Sequence, residues 1–425
     1  MRPSRRAVLA GGAALLAAPA LGVGVAPLRI GAVLPLGGPA LPLGRENLGV
    51  AAEAARMGFG LAEEDVGRNA ELLGRALEVV YANAPGPEAA ARAGRRLLAG
   101  GATVLVGGYS EAEAAALSEV AEEGGAAFLN MGATSDALRA ACRPGTFHVE
   151  ASAAMYLDAI AGWFVRAGFR RWHLVASDTP EGAARAGRAA EALSARHWGA
   201  EVAGRTVVPL GRDFSGAVAE IRGSEPEIVL VLTDWLSQLD YLAAHHAAGL
   251  AAAVTGFPEA MAQTREFYAL ARQAAPEAGT GQRAALWEAT LDAYGARELN
   301  ARFGARWGRP MDPPAWTAYQ AVKIAFEASM RAGAPDGAAI AAALADERAV
   351  FDVHKGIGVT FRPGDRQLRQ SLYLVRVEPP GAPGHDLRSL LARATLEGEM
   401  PAIYMPGTDP VERLDQLGDL GGACA

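Results

Sequence analysis

Lysine is almost missing from this chain of 425 residues: it occurs only at Lys323 and Lys355, and every other cationic side chain is arginine. A phosphate loop of the Gly-x-x-x-x-Gly-Lys type therefore has no lysine to use. Cysteine is as scarce, with Cys142 and Cys424 alone, and neither belongs to a Cys-x-x-Cys pair. That removes the usual zinc and dithiol spacings. The 7 histidines are scattered. His245 and His246 are adjacent, so on a helix they point about 100° apart and cannot both face one metal. No Gly-x-Gly-x-x-Gly follows the first apolar strand, where "GAVLPLGG" stands instead, and no Gly-x-Ser-x-Gly or His-Glu-x-x-His occurs. Positive charge is not in excess either. The formal net charge is -7 and no basic stripe is visible, which speaks against a nucleic-acid partner. Past the N-terminus no run approaches ~18 apolar residues without charge, so stable membrane insertion is not expected. No nucleophile, base and orienter fall together by spacing. The sequence reads as that of a non-enzyme that calls for no cofactor and no metal.

What is present points elsewhere. The composition, 51% hydrophobic and 20% charged, is globular. The length exceeds what one compact core usually holds, so two lobes are expected. Residues 1–26 read as an export signal: a basic start, the apolar stretch Ala7–Leu16, then small residues. Ser4-Arg5-Arg6 before the apolar stretch resembles a twin-arginine signal. Cleavage is expected after Ala20 or Ala26, which places the mature chain in the periplasm. In an oxidising compartment Cys142 and Cys424 either remain two thiols or pair, and pairing would fasten the extreme C-terminus to the first half of the chain.

The body of the chain alternates continuous apolar runs with helical stretches. "LRIGAVLPL", "ALEVVYANA", "TVLVGG" and "AAFLNMG" are separated by helices over 48–64, 88–99 and 111–122. After a seam at "FHVEA" the series restarts with "RWHLVASD", "EVAGRTVV", "EIVLVLTD" and "AAVTGF". Unbroken apolar strands with helical connections are the pattern of parallel sheets covered on both faces. Two such series give an α/β fold with two parallel-sheet lobes. A helical segment is expected over 283–306, further helices over 315–331 and 337–346, a hairpin-like β region over 351–380, and one helix around 387–396.

Two strand ends stand out. "NMGATSDAL" closes a strand with Gly132-Ala133-Thr134 before a helix that Ser135 or Asp136 can cap, and Gly107-Gly108-Tyr109-Ser110 ends the preceding strand in the same manner. Small residues there admit a ligand to the backbone, and open parallel sheets bind at the carboxyl ends of their strands. The same residues also serve as ordinary turns. Asp178 and Asp234 end strands of the second series and read either as ligand contacts or as helix caps. Glu150 ends the seam and reads as a hinge-mouth or surface acid. Arg362, Arg366 and Arg369 read as a solvated face.

The succession "IGAVLPLGG", "VLVGGYSEAEAAALSEVAEEGGAAFLNMGATSDAL", "RRWHLVASDTPEGAARAGRAAEAL" and "VVPLGRDFSGAVAEIRGSEPEIVLVLTD" resembles type I periplasmic solute-binding proteins of ABC transporters, the branched-chain amino acid receptor family. Within it, "NMGATSDALRAACR", "RFGARWGRPMDPPAWTAYQAVKIAFEA", "HKGIGVTFRPGDRQLRQSLYL" and "ERLDQLGDLGGACA" resemble the branch encoded with pyrroloquinoline-quinone-dependent alcohol dehydrogenase systems. In that branch too a cysteine follows the Gly-Ala loop and another closes the chain, which strengthens the case for a Cys142–Cys424 bridge. The resemblance implies two Rossmann-like lobes joined by three crossovers at a hinge, with a ligand cleft between them. Lobe 1 would comprise 27–149 plus 254–345, lobe 2 would comprise 150–253 plus 346–380, and 381–425 would form a tail.

By the same resemblance Thr134, with Gly132 and Ala133 beside it, would hold the amino and carboxylate groups of a ligand. Ser110, or Glu111 in its place, would be a second carboxylate contact. Glu259 in "GFPEA" would meet an ammonium group. Two family aromatics fall near Pro180 and Asp234, leaving Trp235 as the nearest ring. These departures imply a ligand other than a standard amino acid. The implied partners are a small molecule and the permease subunits of an ABC transporter. The alternative is a periplasmic accessory or ligand-sensing protein of the alcohol dehydrogenase system without a transport role.

Overall fold

The computed structural model describes residues 26–36, 48–209, 213–381, 384–401, 407, 409–420 and 424. The expected export signal and its cleavage points lie outside the described residues, except for Ala26. The chain begins β1 (Leu28–Leu34), α1 (Gly49–Leu72), β2 (Leu77–Asn83), α2 (Pro87–Ala99), β3 (Val104–Gly107), α3 (Glu111–Glu123), β4 (Ala127–Asn130), α4 (Asp136–Ala140) and β5 (Thr146–His148). Their five strands form one parallel sheet in the order β2-β1-β3-β4-β5. β3 and β4 are buried along their whole length, as unbroken apolar runs must be when helices cover both faces.

The second series follows: α5 (Ala153–Arg166), β6 (Arg171–Ser177), α6 (Pro180–Arg196), β7 (Glu201–Val208), α7 (Ser215–Ser224), β8 (Ile228–Leu232), α8 (Trp235–Ala247) and β9 (Ala253–Gly256). Its sheet runs β7-β6-β8-β9, again parallel. The helix starts are set by local chemistry. Ser110, Ser152, Thr179 and Asp234 each accept a backbone N–H from three residues on, which satisfies a donor that the first turn leaves open.

The remainder departs from the sequence reading. After β9 come α9 (Arg265–Ala274) and then β10 (Gly281–Ala285), α10 (Ala296–Trp307), α11 (Pro313–Ala332), α12 (Gly337–Ala345), β11 (Leu372–Val377), α13 (Leu387–Leu391), β12 (Ala394–Met400) and α14 (Pro410–Leu414). The helix expected over 283–306 does not start at 283: residues 283–285 belong to β10, which pairs antiparallel with β11, and β11 pairs with β12. The helix expected over 387–396 ends at Leu391, because 394–400 is taken up by that sheet. In both places cross-strand hydrogen bonds from other parts of the chain override local helix propensity, as tertiary context commonly does.

The partition between lobes moves for the same reason. α11 lies along α1, and α12 lies against β4, so both cover the first sheet. The segment from 254 to 285 does not return with them. β9 completes the second sheet, α9 packs on α8, and β10 sits beside β9 and α5. Lobe 1 is therefore the first sheet with α1–α4 and α10–α12. Lobe 2 is the second sheet with α5–α9 and the β10-β11-β12 sheet. The first crossover is 149–152. The chain returns to lobe 1 over 286–295 rather than at 254, and leaves it again over 346–371.

Beyond β12 the tail runs back over the crossovers. Asp415 accepts Arg369 Nε at 2.8 Å, and Arg362 Nη2 donates to the Gly418 carbonyl at 2.9 Å. These two arginines are half-buried ion-pair partners, not a solvated face. Cys424 is disulfide-bonded to Cys142, 282 residues away in sequence, and its N–H donates to the Gly364 carbonyl. Among the described residues no helix is long and apolar enough to cross a membrane. Closing a loop of this length restricts the unfolded chain by roughly 5 kcal/mol in the chain-entropy account. Cys424→Ser is therefore expected to lower the free energy of unfolding by several kcal/mol, up to about that figure, as read from urea titrations. Coincident titrations for mutant and parent would show that the bridge contributes nothing to stability.

Candidate functional site

The carboxyl ends of β3, β4 and β5 meet at the loop 130–135, and that loop is held from below. Asn130 Oδ1 accepts the N–H of Ala133 at 3.0 Å, and its Nδ2 donates to the Ala133 carbonyl at 2.7 Å. Arg139, fully buried, supplies the rest. Its Nη1 donates to the carbonyls of Ala133 and Ser135 at 2.8 and 2.9 Å, its Nη2 to that of Glu150 at 2.7 Å, and its Nε to Gln367 Oε1 at 3.0 Å. Burial lowers its pKa to about 10, opposed by Asp136, Glu150 and Asp365, so it remains cationic near neutrality.

Gly132 is required where it stands: a Cβ there would lie 2.7 Å from the Tyr109 ring, which packs over it. Thr134 is buried, its carbonyl accepts the N–H of Ala153 at 2.7 Å, and its hydroxyl has no partner among the described residues. Ser135 does not cap α4 through its side chain, and Asp136 Oδ1 instead accepts the N–H of Ala154. The start of lobe 2's first helix thus sits directly on the loop of lobe 1.

Ser110 is exposed and its hydroxyl caps α3 by accepting the Glu113 N–H at 3.2 Å. Glu111 is half-buried, and its carboxylate has no hydrogen-bond or ion-pair partner among the described residues. Asp178 is exposed and does not cap α6, because Thr179 does so. Asp234 caps α8 at 3.1 Å and also accepts the Ser237 hydroxyl. Trp235 is buried with its indole N–H unpaired among the described residues. Glu259 accepts Arg185 Nη1 at 2.9 Å, and Arg185 also pairs with Glu181. The Arg185 guanidinium lies 3.9 Å from the centroid of the Phe257 ring. Burial raises the pKa of Glu259, and Arg185 opposes that shift. The structure therefore keeps Gly132, Ala133 and Thr134 together at the end of β4 in lobe 1, and places Glu259 near Asp234 in lobe 2. It gives Asp178 no contact with either group.

A buried chain of polar groups that the residue types alone do not announce lies at the first crossover and the start of α5. Glu150 Oε1 accepts the Tyr156 hydroxyl at 2.7 Å, and Gln263 Nε2 donates to that hydroxyl at 3.1 Å. The Tyr156 ring meets Phe257 edge-on at 6.0 Å. Tyr109, raised in pKa by burial and by the Glu150 charge, keeps a buried hydroxyl without a partner among the described residues. Lys355 is buried as well. Its ammonium donates to Gln370 Oε1 at 2.8 Å and lies 4.1 Å from the Trp316 ring centroid, and burial holds its pKa well below the ordinary value. Only Glu150 of this group was singled out by position, at the end of the seam. A pocket of about 590 Å³ lies elsewhere, at the amino ends of β6 and β9, and includes Phe169, His245 and Arg376 but none of these residues.

The described residues offer hydrogen-bonding groups on both lobes and a buried acid, Glu150, at the first crossover. Among the described residues no cluster of His, Cys, Asp and Glu could hold a metal. Burial raises the pKa of Glu150 from 4.5 to about 7, against the opposing Tyr156 bond and Arg139 charge. The folded state therefore holds a proton there that the unfolded chain releases, and stability falls as pH rises from about 4.5 to 7. The loss attributable to Glu150 is on the order of 3 kcal/mol. Glu150→Gln should flatten this part of the stability profile, measured by urea unfolding at pH 5 and pH 8. An equal loss in both proteins would assign the pH dependence to other groups.

The sequence profile of the family described as "Periplasmic binding protein" matches residues 27–383. No curated protein matches. Among solved structures, a branched-chain amino acid ABC transporter periplasmic ligand-binding protein from Burkholderia xenovorans superposes with a TM-score of 0.74 at 17% identity, covering 88% of this chain and 95% of that one. A solute-binding protein of an ABC transporter from Rhodopseudomonas palustris, in complex with 3,4-dihydroxybenzoic acid, gives 0.70 at 18% identity, covering 89% and 99%. A branched-chain amino acid transporter substrate-binding protein from Streptococcus pneumoniae, in complex with isoleucine, gives 0.68 at 17% identity, covering 82% and 96%.

Proposed function

The chain belongs to the periplasmic binding protein family, whose members bind solutes rather than transform them, and from that premise we propose that it carries a small polar solute other than an α-amino acid to an ABC permease. The solute sits between the lobes, against Thr134 on one side and the Arg185 wall on the other. One observation carries the exclusion of amino acids. Glu259, the acid to which the family resemblance gives the ammonium group, is bound by Arg185 at 2.9 Å. A ligand ammonium would have to displace a half-buried ion pair that Phe257 backs. Pro180 and Asp234 stand where the family has aromatic rings, so the hydrophobic side-chain clamp of an amino acid receptor is also missing.

Relatives of this fold carry isoleucine in one case and 3,4-dihydroxybenzoic acid in another, so the architecture accepts solutes with no amino group. The resemblance to the branch found with alcohol dehydrogenase systems puts short alcohols, their aldehydes and their acids first among the candidates. Export to the periplasm, implied by residues 1–26, is where such a receptor would meet them.

A thermal-shift panel of alcohols, aldehydes, carboxylates, pyrroloquinoline quinone and branched amino acids tests the reading. A solute present at 100 times its dissociation constant adds about 2.7 kcal/mol, a shift of a few degrees. Saturable stabilisation by leucine or isoleucine would overturn the exclusion of amino acids. Silence across the panel would turn the assignment to the accessory role. With the bound solute in hand, Thr134→Val is expected to weaken affinity about tenfold, the loss of roughly one hydrogen bond, while leaving the unfolding midpoint within a degree or two. Unchanged affinity in a calorimetric titration would move the site away from this loop.

A further inference from the structure

The C-terminal segment after β12 lies outside the matched family region, yet it is bound to both lobes. On lobe 2 the N–H of Gly418 donates to Asp158 Oδ2 at 2.9 Å, an acid already paired with Arg188 and Arg196. Arg196 also donates to the Gln416 carbonyl at 3.3 Å. Gly418 takes a left-handed turn at φ 73, and a Cβ there would meet Met155 Cγ at 2.3 Å, so this turn fits against the start of α5 only as glycine. On the third crossover Arg362 holds the carbonyls of Leu417 and Gly418. Leu414 and Leu417 are buried. On lobe 1 the disulfide attaches Cys424 to Cys142, just past α4.

We infer that this segment is a strap across the hinge, and that the Cys142–Cys424 bridge limits how far the lobes swing apart. The argument is one of reach. From Gly418 to Cys424 there are six residues, which span at most about 20 Å when fully extended. Gly418 is fixed to α5 and Cys142 follows α4. These two helices face each other where lobe 2 begins, through the Ala154 N–H on Asp136 at 3.1 Å. Rotation that would part α4 from α5 beyond that reach must therefore strip Gly418, Gln416 and Leu417 from their anchors or be stopped by the covalent tie. Reduction leaves only the hydrogen bonds and ion pairs of the segment to resist it. Hinge closure of two lobes is the usual motion of such an architecture, and the strap would set its range.

Small-angle scattering of the disulfide-bonded protein without added solute, beside Cys424→Ser and beside the parent reduced with a phosphine, is the test. A compact chain of this size has a radius of gyration of about 21 Å, and the strap-free forms are expected to exceed the bonded form by roughly 1 Å, with near-ultraviolet circular dichroism unchanged. Superimposable scattering curves for bonded and bridge-free protein would overturn the inference. If the bridge-free forms lose their near-ultraviolet signal, Arg362→Gln decides, because it keeps the disulfide and removes two carbonyl anchors. It should raise the radius in the same direction, and no rise would equally overturn the inference. None of these readouts depends on a bound solute, so failure of the strap and failure of the solute-receptor reading are separable.

Discussion

The site depends on one buried guanidinium. Arg139 has no carboxylate within its hydrogen bonds, only three carbonyl oxygens and the Gln367 amide oxygen. A buried cation with no carboxylate in direct hydrogen-bond contact is tolerated only when its donors are satisfied with good geometry. Here the planar fork meets that condition and, in doing so, binds three parts of the chain at once. Ala133 and Ser135 belong to the loop of lobe 1, Glu150 to the first crossover, and Gln367 to the third. Lysine could not reproduce this, because a single ammonium lacks the fixed geometry of five donors. The scarcity of lysine thus has a structural counterpart: at this position the fork is what holds the loop to the hinge.

Around that fork the hinge is built from polar side chains that bond across crossovers. Gln367 Nε2 reaches the carbonyls of His148 and Glu150, and Gln370 Nε2 reaches that of Val149. Gln263 joins Tyr156 to the Leu286 N–H at the start of the second crossover. A second buried cluster, Arg265 with Glu288 and Asp312, ties the beginning of α9 to the beginning of α11. Burial raises the pKa of Asp312, while the neighbouring Arg265 opposes that shift. Such groups contribute less to net stability than apolar packing of the same volume would. They instead define which segments lie side by side, because leaving any of them unpaired is costly. Two lobes joined by three separate strands of chain need that definition more than a single core does.

Much of the first 256 residues was legible. The unbroken apolar runs, the Ser, Thr and Asp caps and the restart after "FHVEA" correspond to the two parallel sheets and their helix starts. The loop at 130–135 was legible as a strand end leading into a helix start, because small residues and hydroxyls follow an apolar run there. Past residue 256 the helices expected over 315–331 and 337–346 correspond to α11 and α12, and the reading failed at the antiparallel sheet. "GQRAA" and "ATLEGEM" carry neither alternation nor a long apolar run, and they become strands only because β11 lies between them. Local pattern cannot report a partner 90 residues away. The surroundings of the charged residues at strand ends were hidden for a related reason. Asp178 and Glu259 look alike as acids at strand ends, but one is exposed and the other is engaged by Arg185, a residue 74 positions earlier.

The sequence by itself determined the α/β class, the two parallel sheets, the glycine-alanine-threonine loop at the end of β4 and the two cysteines available to pair. Each follows from short-range rules: side-chain periodicity, capping chemistry and residue count. The tertiary structure alone decided that Arg185 neutralises Glu259, that Glu150, Tyr156 and Tyr109 share a buried space, and that the tail crosses the hinge to bring Cys424 within 5.1 Å, Cα to Cα, of Cys142. Those outcomes rest on burial and on contacts between distant segments. Burial changes the protonation and the pairing of a charged group, and nothing in the identity of a residue states how deeply the finished fold will bury it.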